Sequence, residues 1–295
     1  MKYLQAYSQL TKTGIIIFAL VSALAGYAVS YHSHQSFTPL EPILLIVGLY
    51  LIAAASFALN QAQEWRQDAL MERTRGRPIP TGFLQPCQAY FIAGLYGLMG
   101  LQILRLIGPW PAGLALLTVI LYNGVYTLVW KRHWVFGAVP GAIPGAMPVV
   151  IGYSVNNPQV WNPECVYLFL VMFLWQMPHF WALAIRFRED YQQGGFPVLP
   201  VEMGETRTRY YIGLYLFTYV GVALAAPWFV PTNVLYFLLV LPISLKVILE
   251  FRKFYQNLDS KAWLPFFLWT NFSILIYLAA PVMDKWLNWA IFAYV

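Results

Sequence analysis

Apolar residues run through this chain in blocks of about twenty, broken by short polar stretches. They show neither the strict alternation of a half-buried strand nor the narrow stripe of a surface helix. Blocks of that length suit the hydrocarbon thickness of a bilayer, which takes ~20 helical residues to cross. Nine candidate spans follow, at 13–31, 40–60, 86–107, 110–130, 135–153, 162–186, 209–229, 232–250 and 263–283. Backbone amides in hydrocarbon have no water to bond, so such segments cross as helices. The predicted fold class is therefore an all-α integral membrane protein, a bundle of about nine transmembrane helices forming one domain over residues 1–295.

Polar positions are distributed unevenly. Outward connections are short and nearly uncharged, whereas residues 61–85 and 187–208 form long loops rich in charge, glycine and proline. If nine spans alternate, every one of the 18 Lys and Arg except Arg105 and Lys285 falls on one side. The positive-inside bias makes that side cytoplasmic, with the N-terminus inside and the C-terminus periplasmic or extracellular. Composition agrees: 60% of residues are hydrophobic and 10% charged, against about a quarter charged in soluble domains. The net charge of +6 then reflects topology and gives no reason to expect nucleic acid. Cys87 and Cys165 have no paired spacing, so neither a disulfide framework nor a thiolate metal site is expected. The first apolar run lacks a small-residue cleavage site and reads as a retained span, with a bacterial inner membrane as the simplest location.

Candidate chemistry gathers in the two long loops. In NQAQEWRQDALMERTRGRPIPTG, Asn60, Glu64 and Asp68 stand four residues apart, each turned about 40° and shifted about 6 Å from the last on a helix. Carboxylates on one stripe repel unless a cation lies near, and carboxylate and amide oxygens are the hard ligands that Mg²⁺ accepts along with phosphate oxygens. Arg73, Arg75 and Arg77 follow as anion partners. The alternative is a solvated juxtamembrane face whose acids pair with arginines one turn away. In PHFWALAIRFREDYQQGGFPVLP, a continuing helix would put His179, Arg186 and Asp190 in one sector, with His179 about 16 to 17 Å from Asp190 toward the membrane interior. Asp190 would then complete a second metal site, Arg186 would hold an anion, and His179 would meet an embedded substrate. The alternative is an Arg186–Asp190 pair with His179 hydrogen-bonded between helices. The run GAVPGAIPGAMP from Gly137 permits close packing or a broken helix.

At these clusters the chain resembles the UbiA superfamily of intramembrane prenyltransferases, and within it the haem-farnesylating branch. The resemblance is carried by LTK at Leu10–Lys12, the Asn60 segment with DALMERTRGRP, Lys131–Arg132, PHFWALA from Pro178, and DYQQGGFPVLPVEMGETRT from Asp190. The family's NxxxDxxxD falls on Asn60, Glu64 and Asp68, with Glu64 a departure that keeps the charge and adds a methylene. The Pro-Arg that follows LTK in the family is Thr13–Gly14 here.

The resemblance implies farnesyl transfer from farnesyl diphosphate to the vinyl group of protohaem IX (haem B), giving haem O and diphosphate. It further implies Mg²⁺ held by Asn60, Glu64, Asp68 and Asp190, with Arg73, Arg77, Lys131 and Arg132 on the leaving group. His179 and Arg186 would contact haem, at iron and propionate. Expected partners are both substrates, membrane lipid, and a downstream haem-modifying enzyme or terminal oxidase assembly. Two other readings compete: a UbiA-type enzyme acting on a quinone precursor or other aromatic acceptor, and a transporter or non-catalytic haem-binding membrane protein. A transporter would need polar groups at mid-membrane. Most charges here gather at one interface, which favours an enzyme.

Overall fold

The computed structural model describes residues 3–32, 37–256 and 260–292. The described residues contain helices and no strands. In chain order the helices are α1 (Tyr3–Thr11), α2 (Thr13–Ser30), α3 (Leu40–Leu70), α4 (Pro86–Ile107), α5 (Pro109–His133), α6 (Ala138–Tyr153), α7 (Pro163–Arg186), α8 (Arg188–Gln193), α9 (Leu199–Glu202), α10 (Gly204–Leu224), α11 (Val234–Gln256) and α12 (Trp263–Phe292).

Each of the nine predicted spans coincides with one long helix, but only seven described helices are long and apolar enough to cross a membrane. The count of nine crossing helices is not reached on that criterion. The fifth segment, α6, has 16 residues, and α10 opens on Glu205, Arg207 and Arg209. Helix α3 runs ten residues past its predicted apolar end, carrying Asn60, Glu64 and Asp68 on continuous helix.

Helices surrounded by lipid gain little from hiding apolar surface, so close packing and interhelical hydrogen bonds hold them together. The GAVPGAIPGAMP stretch works in this way. It stays helical through Pro144 and Pro148. A Cβ at Gly141 would collide with the Tyr126 ring, and one at Gly145 with the Gln176 carboxamide. Gln176 in turn donates to the Ala142 carbonyl at 3.0 Å. The run therefore serves close packing of α6 against α5 and α7, and the broken-helix alternative falls away.

Between α1 and α2 the chain turns at Lys12, the one described non-glycine residue with positive φ (52°). A left-handed conformation costs an L-residue roughly 1–2 kcal/mol. Gln61 holds the turn by donating to the carbonyls of Gln9 and Leu10, both at 2.8 Å. The turn, the loop after α3, the end of α5 and the loop after α7 all meet at one end of the bundle.

Candidate active site

The site is built on a seam between α3 and α5. Asn123 donates to the Ser56 carbonyl (2.9 Å), Asn60 donates to Thr127 Oγ1 (3.2 Å), and Lys131 Nζ lies 2.8 and 2.6 Å from the two Glu64 carboxylate oxygens. Each pair is separated by 67 residues, so the two helices run side by side in a fixed register. Residues Ile120–Trp130 of α5 are wound as a π-helix, and Thr127 Oγ1 donates back five residues to the Tyr122 carbonyl at 2.8 Å. This winding is rare and recurs at functional sites. Here it keeps Asn123, Thr127 and Lys131 facing α3.

Asn60, Glu64 and Asp68 are each 2% exposed. Asn60 Nδ2 bonds Glu64 at 2.9 Å, and Arg77 from the following loop reaches Asp68 at 2.6 Å. Lys12 Nζ lies 3.4 Å from Asn60 Oδ1 and over the Phe57 ring. Three cations, Lys12, Arg77 and Lys131, thus converge on two carboxylates. Burial, reinforced by Arg77 and Lys131, pushes the Lys12 ammonium down to about 7, although Glu64 and Asp68 pull the other way. The arrangement holds more positive charge than its own acids neutralise, which suits an anion.

The second loop closes over the first. Helix α7 stops at Arg186 because Phe187 leaves helical geometry (φ −113°, ψ 33°), so the expected single face shared by His179, Arg186 and Asp190 is not formed. Asp190 instead sits on the separate α8, and its carboxylate accepts the Glu72 N–H (2.9 Å) and the Arg73 N–H (3.3 Å) where the chain leaves α3. Arg73 lies over Phe187 and Tyr191. Gly195 turns the chain at φ 70°, and the Phe196 ring then packs 4.5 Å from Lys131 Nζ. Of the expected anion partners, Arg77 and Lys131 lie on the stripe. Arg132 donates to the Gln63 carbonyl (3.3 Å), and its buried Nε has no partner. Arg186 lies over Trp263, and with Arg73 and Asp190 it lines a separate cleft of about 810 Å³.

His179 is seven residues back from Arg186, about 10 Å along α7. Its ring lies between Trp175 and Phe267, with centroids at 4.7 and 4.9 Å, and faces the Asn271 side chain on α12. The packing between helices expected of the blander alternative is present. Nδ1 is nevertheless buried without a partner.

Among the described residues no three acidic, histidine or cysteine groups gather as a self-sufficient metal site. Magnesium does not need one, since it commonly uses one or two carboxylates and takes its remaining oxygens from water and substrate phosphate. Asn60 Oδ1 with the Glu64 and Asp68 carboxylates, on one buried stripe beside three cations, fits that partial donor set. Sequence reasoning placed this stripe but left out Lys12, Asn123 and Thr127. The LTK segment marked Lys12, and Thr127 stands four residues before Lys131.

The UbiA prenyltransferase family model matches residues 19–272. A relative in Bdellovibrio bacteriovorus named protoheme IX farnesyltransferase is 48% identical over 283 residues, covering 96% of this chain and 97% of its own. A solved structure of digeranylgeranylglyceryl phosphate synthase superposes with a TM-score of 0.76 at 17% identity, covering 96% of this chain and 99% of that one. A UbiA homolog from Archaeoglobus fulgidus, bound to DMAPP and Mg²⁺, gives a TM-score of 0.69 at 16% identity, with coverage of 93% and 98%.

Proposed function

Since this chain belongs to the UbiA prenyltransferase family, we propose that it transfers the farnesyl group of farnesyl diphosphate to the vinyl group of protohaem IX, making haem O and releasing diphosphate. The observation that carries this reading is the 48% identity, spread over nearly the full length of both chains, with a relative named for that reaction. The charged seam supplies the chemistry the reaction needs.

Lys12, Arg77 and Lys131 take the diphosphate, with Arg132 beside them on α5, while Arg73 lines the neighbouring cleft with Arg186. Asn60, Glu64 and Asp68 would hold Mg²⁺, with Asp190 ordering the loop after α3 and facing the same end of the bundle. When bound, Mg²⁺ draws negative charge from the diphosphate and eases its departure. As the carbon–oxygen bond breaks, charge grows on the leaving oxygen, where preorganised cations act most strongly. The Phe57, Tyr122 and Tyr126 rings pack together across α3 and α5, and their faces would attract the allylic cation left behind. The vinyl carbons of haem attack it. Water then adds to the haem-side cation as hydroxyl and releases a proton. The apolar bundle accommodates the farnesyl chain and limits earlier quenching by water.

His179 and Arg186 are assigned to the acceptor. His179 is the deeper of the two and offers an unpaired ring nitrogen, while Arg186 lies at the charged end, within reach of a propionate. Residues 1–295 act as one domain of a bacterial inner membrane, with the charged end and the N-terminus in the cytoplasm. Haem O passes to a haem-modifying enzyme or terminal oxidase assembly.

Purified protein incubated with haem B, farnesyl diphosphate and Mg²⁺ should yield haem heavier by one farnesyl group and one hydroxyl, and chelation should stop it. Unmodified haem, together with prenylation of a quinone precursor added to a parallel incubation, would replace haem as the acceptor.

A further inference from the structure

Away from the charged seam, α10 and α11 meet so closely at Gly213 that a Cβ there would stand 2.8 Å from the Phe251 ring. Toward the charged end, Arg209 reaches across from α10 to the Phe254 carbonyl of α11 and stacks over its ring, tying the two helices again. An open groove of about 390 Å³ follows this contact on the outer surface of the bundle. Such a volume lies within the ~300–1,000 Å³ usual for small-ligand sites.

Its walls divide along their length. Leu214, Phe217 and Ile248 make an apolar strip, and Leu214 and Phe217 are exposed on the lipid-facing side. Next toward the charged end comes Arg252, exposed beside the Gly213–Phe251 contact, and then Tyr210 and Tyr255, also exposed. Aromatic rings with a polar tip favour the depth where hydrocarbon gives way to headgroups.

Arg252 carries an uncommitted charge. Its neighbours Lys246 and Lys253 both pair with Glu250, at 2.7 and 2.9 Å. Arg207 lies one turn before Tyr210 on α10, just past the charged end of the groove's lining, and is exposed. Among the described residues neither Arg207 nor Arg252 forms an ion pair.

A strip for a hydrocarbon chain, aromatic rings at headgroup depth and two free guanidinium groups make the complement of a phosphate-bearing amphiphile. Basic pockets between membrane helices bind anionic headgroups in this way. We propose that the groove between α10 and α11 is a binding site for one anionic phospholipid. Arg207 and Arg252 hold its headgroup, and its chain lies along Leu214, Phe217 and Ile248. The lipid bridges α11 to α10, the long helix whose opening charges make it a poor membrane span. None of this depends on the reaction at the seam.

The test uses full-length protein in dodecyl maltoside, with phosphatidylglycerol or phosphatidylcholine of the same chains added. Lipid adducts are read by native mass spectrometry and stability by thermal melting. Phosphatidylglycerol should be retained preferentially and raise the melting temperature. Arg207→Gln and Arg252→Gln should each weaken its retention about five-fold, the scale on which one basic side chain attracts an anionic lipid surface. Leu214→Trp fills the strip without altering charge and should reduce retention as well; if it fails to fold, the two exposed arginine variants decide alone. Equal retention of the two lipids, or wild-type phosphatidylglycerol binding after both arginines are replaced, would overturn the assignment. So would displacement of the lipid by farnesyl diphosphate, which would make the groove a prenyl diphosphate site.

Discussion

Glu64 accepts from both Asn60 and Lys131, so its charge and its reach are separable properties. Glu64→Gln leaves the Lys131 ammonium without its counter-charge in a partly buried pair, where the loss falls below the ~3–5 kcal/mol of a fully buried one. Glu64→Asp keeps the charge and gives up one methylene. The Asp variant is therefore expected to retain more kcat/KM for farnesyl diphosphate and a higher Tm than the Gln variant, and equal losses would show that reach dominates. His179 poses a similar division between packing and chemistry. Its ring packs against Trp175 and Phe267, and Nδ1 is left unpaired in a buried setting where such a group costs ~1–3 kcal/mol. His179→Ala should weaken haem binding, measured spectroscopically, more than farnesyl diphosphate binding. Unchanged haem binding with a lower Tm would leave His179 as a packing residue.

At the scale of elements, the stripe stays on one side of α3 while the lengthened turns of α5 bring matching groups to it. Thr127 is the middle rung of that seam and the donor to the Tyr122 carbonyl. Thr127→Val removes Asn60's second acceptor and should cost about 1–3 kcal/mol together with a drop in kcat/KM, while Thr127→Ser should remain near wild type. Identical behaviour of Val and Ser in melting and kinetics would remove the seam from the account. The stripe was legible because a repeat of four residues lies within one helix and needs no other segment to be read. The π winding was not, since it is stabilised by partners 67 residues away. Asp190 likewise depends on amides 117 and 118 residues distant, and the break at Phe187 that frees it has no glycine or proline to announce it. Lys12 stands in the LTK motif, but a left-handed turn at a lysine is set by Gln61 and goes against local preference.

For the whole molecule, the long apolar runs made the helical bundle readable, and the one-sided placement of Lys and Arg gives an expectation for its orientation, while the packing of α6 and the shortfall of α10 as a span needed coordinates. The orientation can be tested with the chain's own cysteines. Cys87 is exposed at the start of α4, just beyond the loop that carries Arg73, Arg75 and Arg77, and so belongs to the charged end. Cys165 is buried near the start of α7, toward the opposite end. Burial denies Cys165 to a bulky reagent, so a membrane-impermeant maleimide reports on Cys87 alone in the folded protein. If the positive-inside bias sets the topology, Cys87 should label in inverted inner-membrane vesicles and stay unlabelled in intact spheroplasts until the membrane is permeabilised. Cys87→Ser should abolish labelling in both preparations and serve as the control for Cys165. Rapid labelling of Cys87 from outside intact spheroplasts would place the charged end, and with it the diphosphate site, on the opposite face of the membrane.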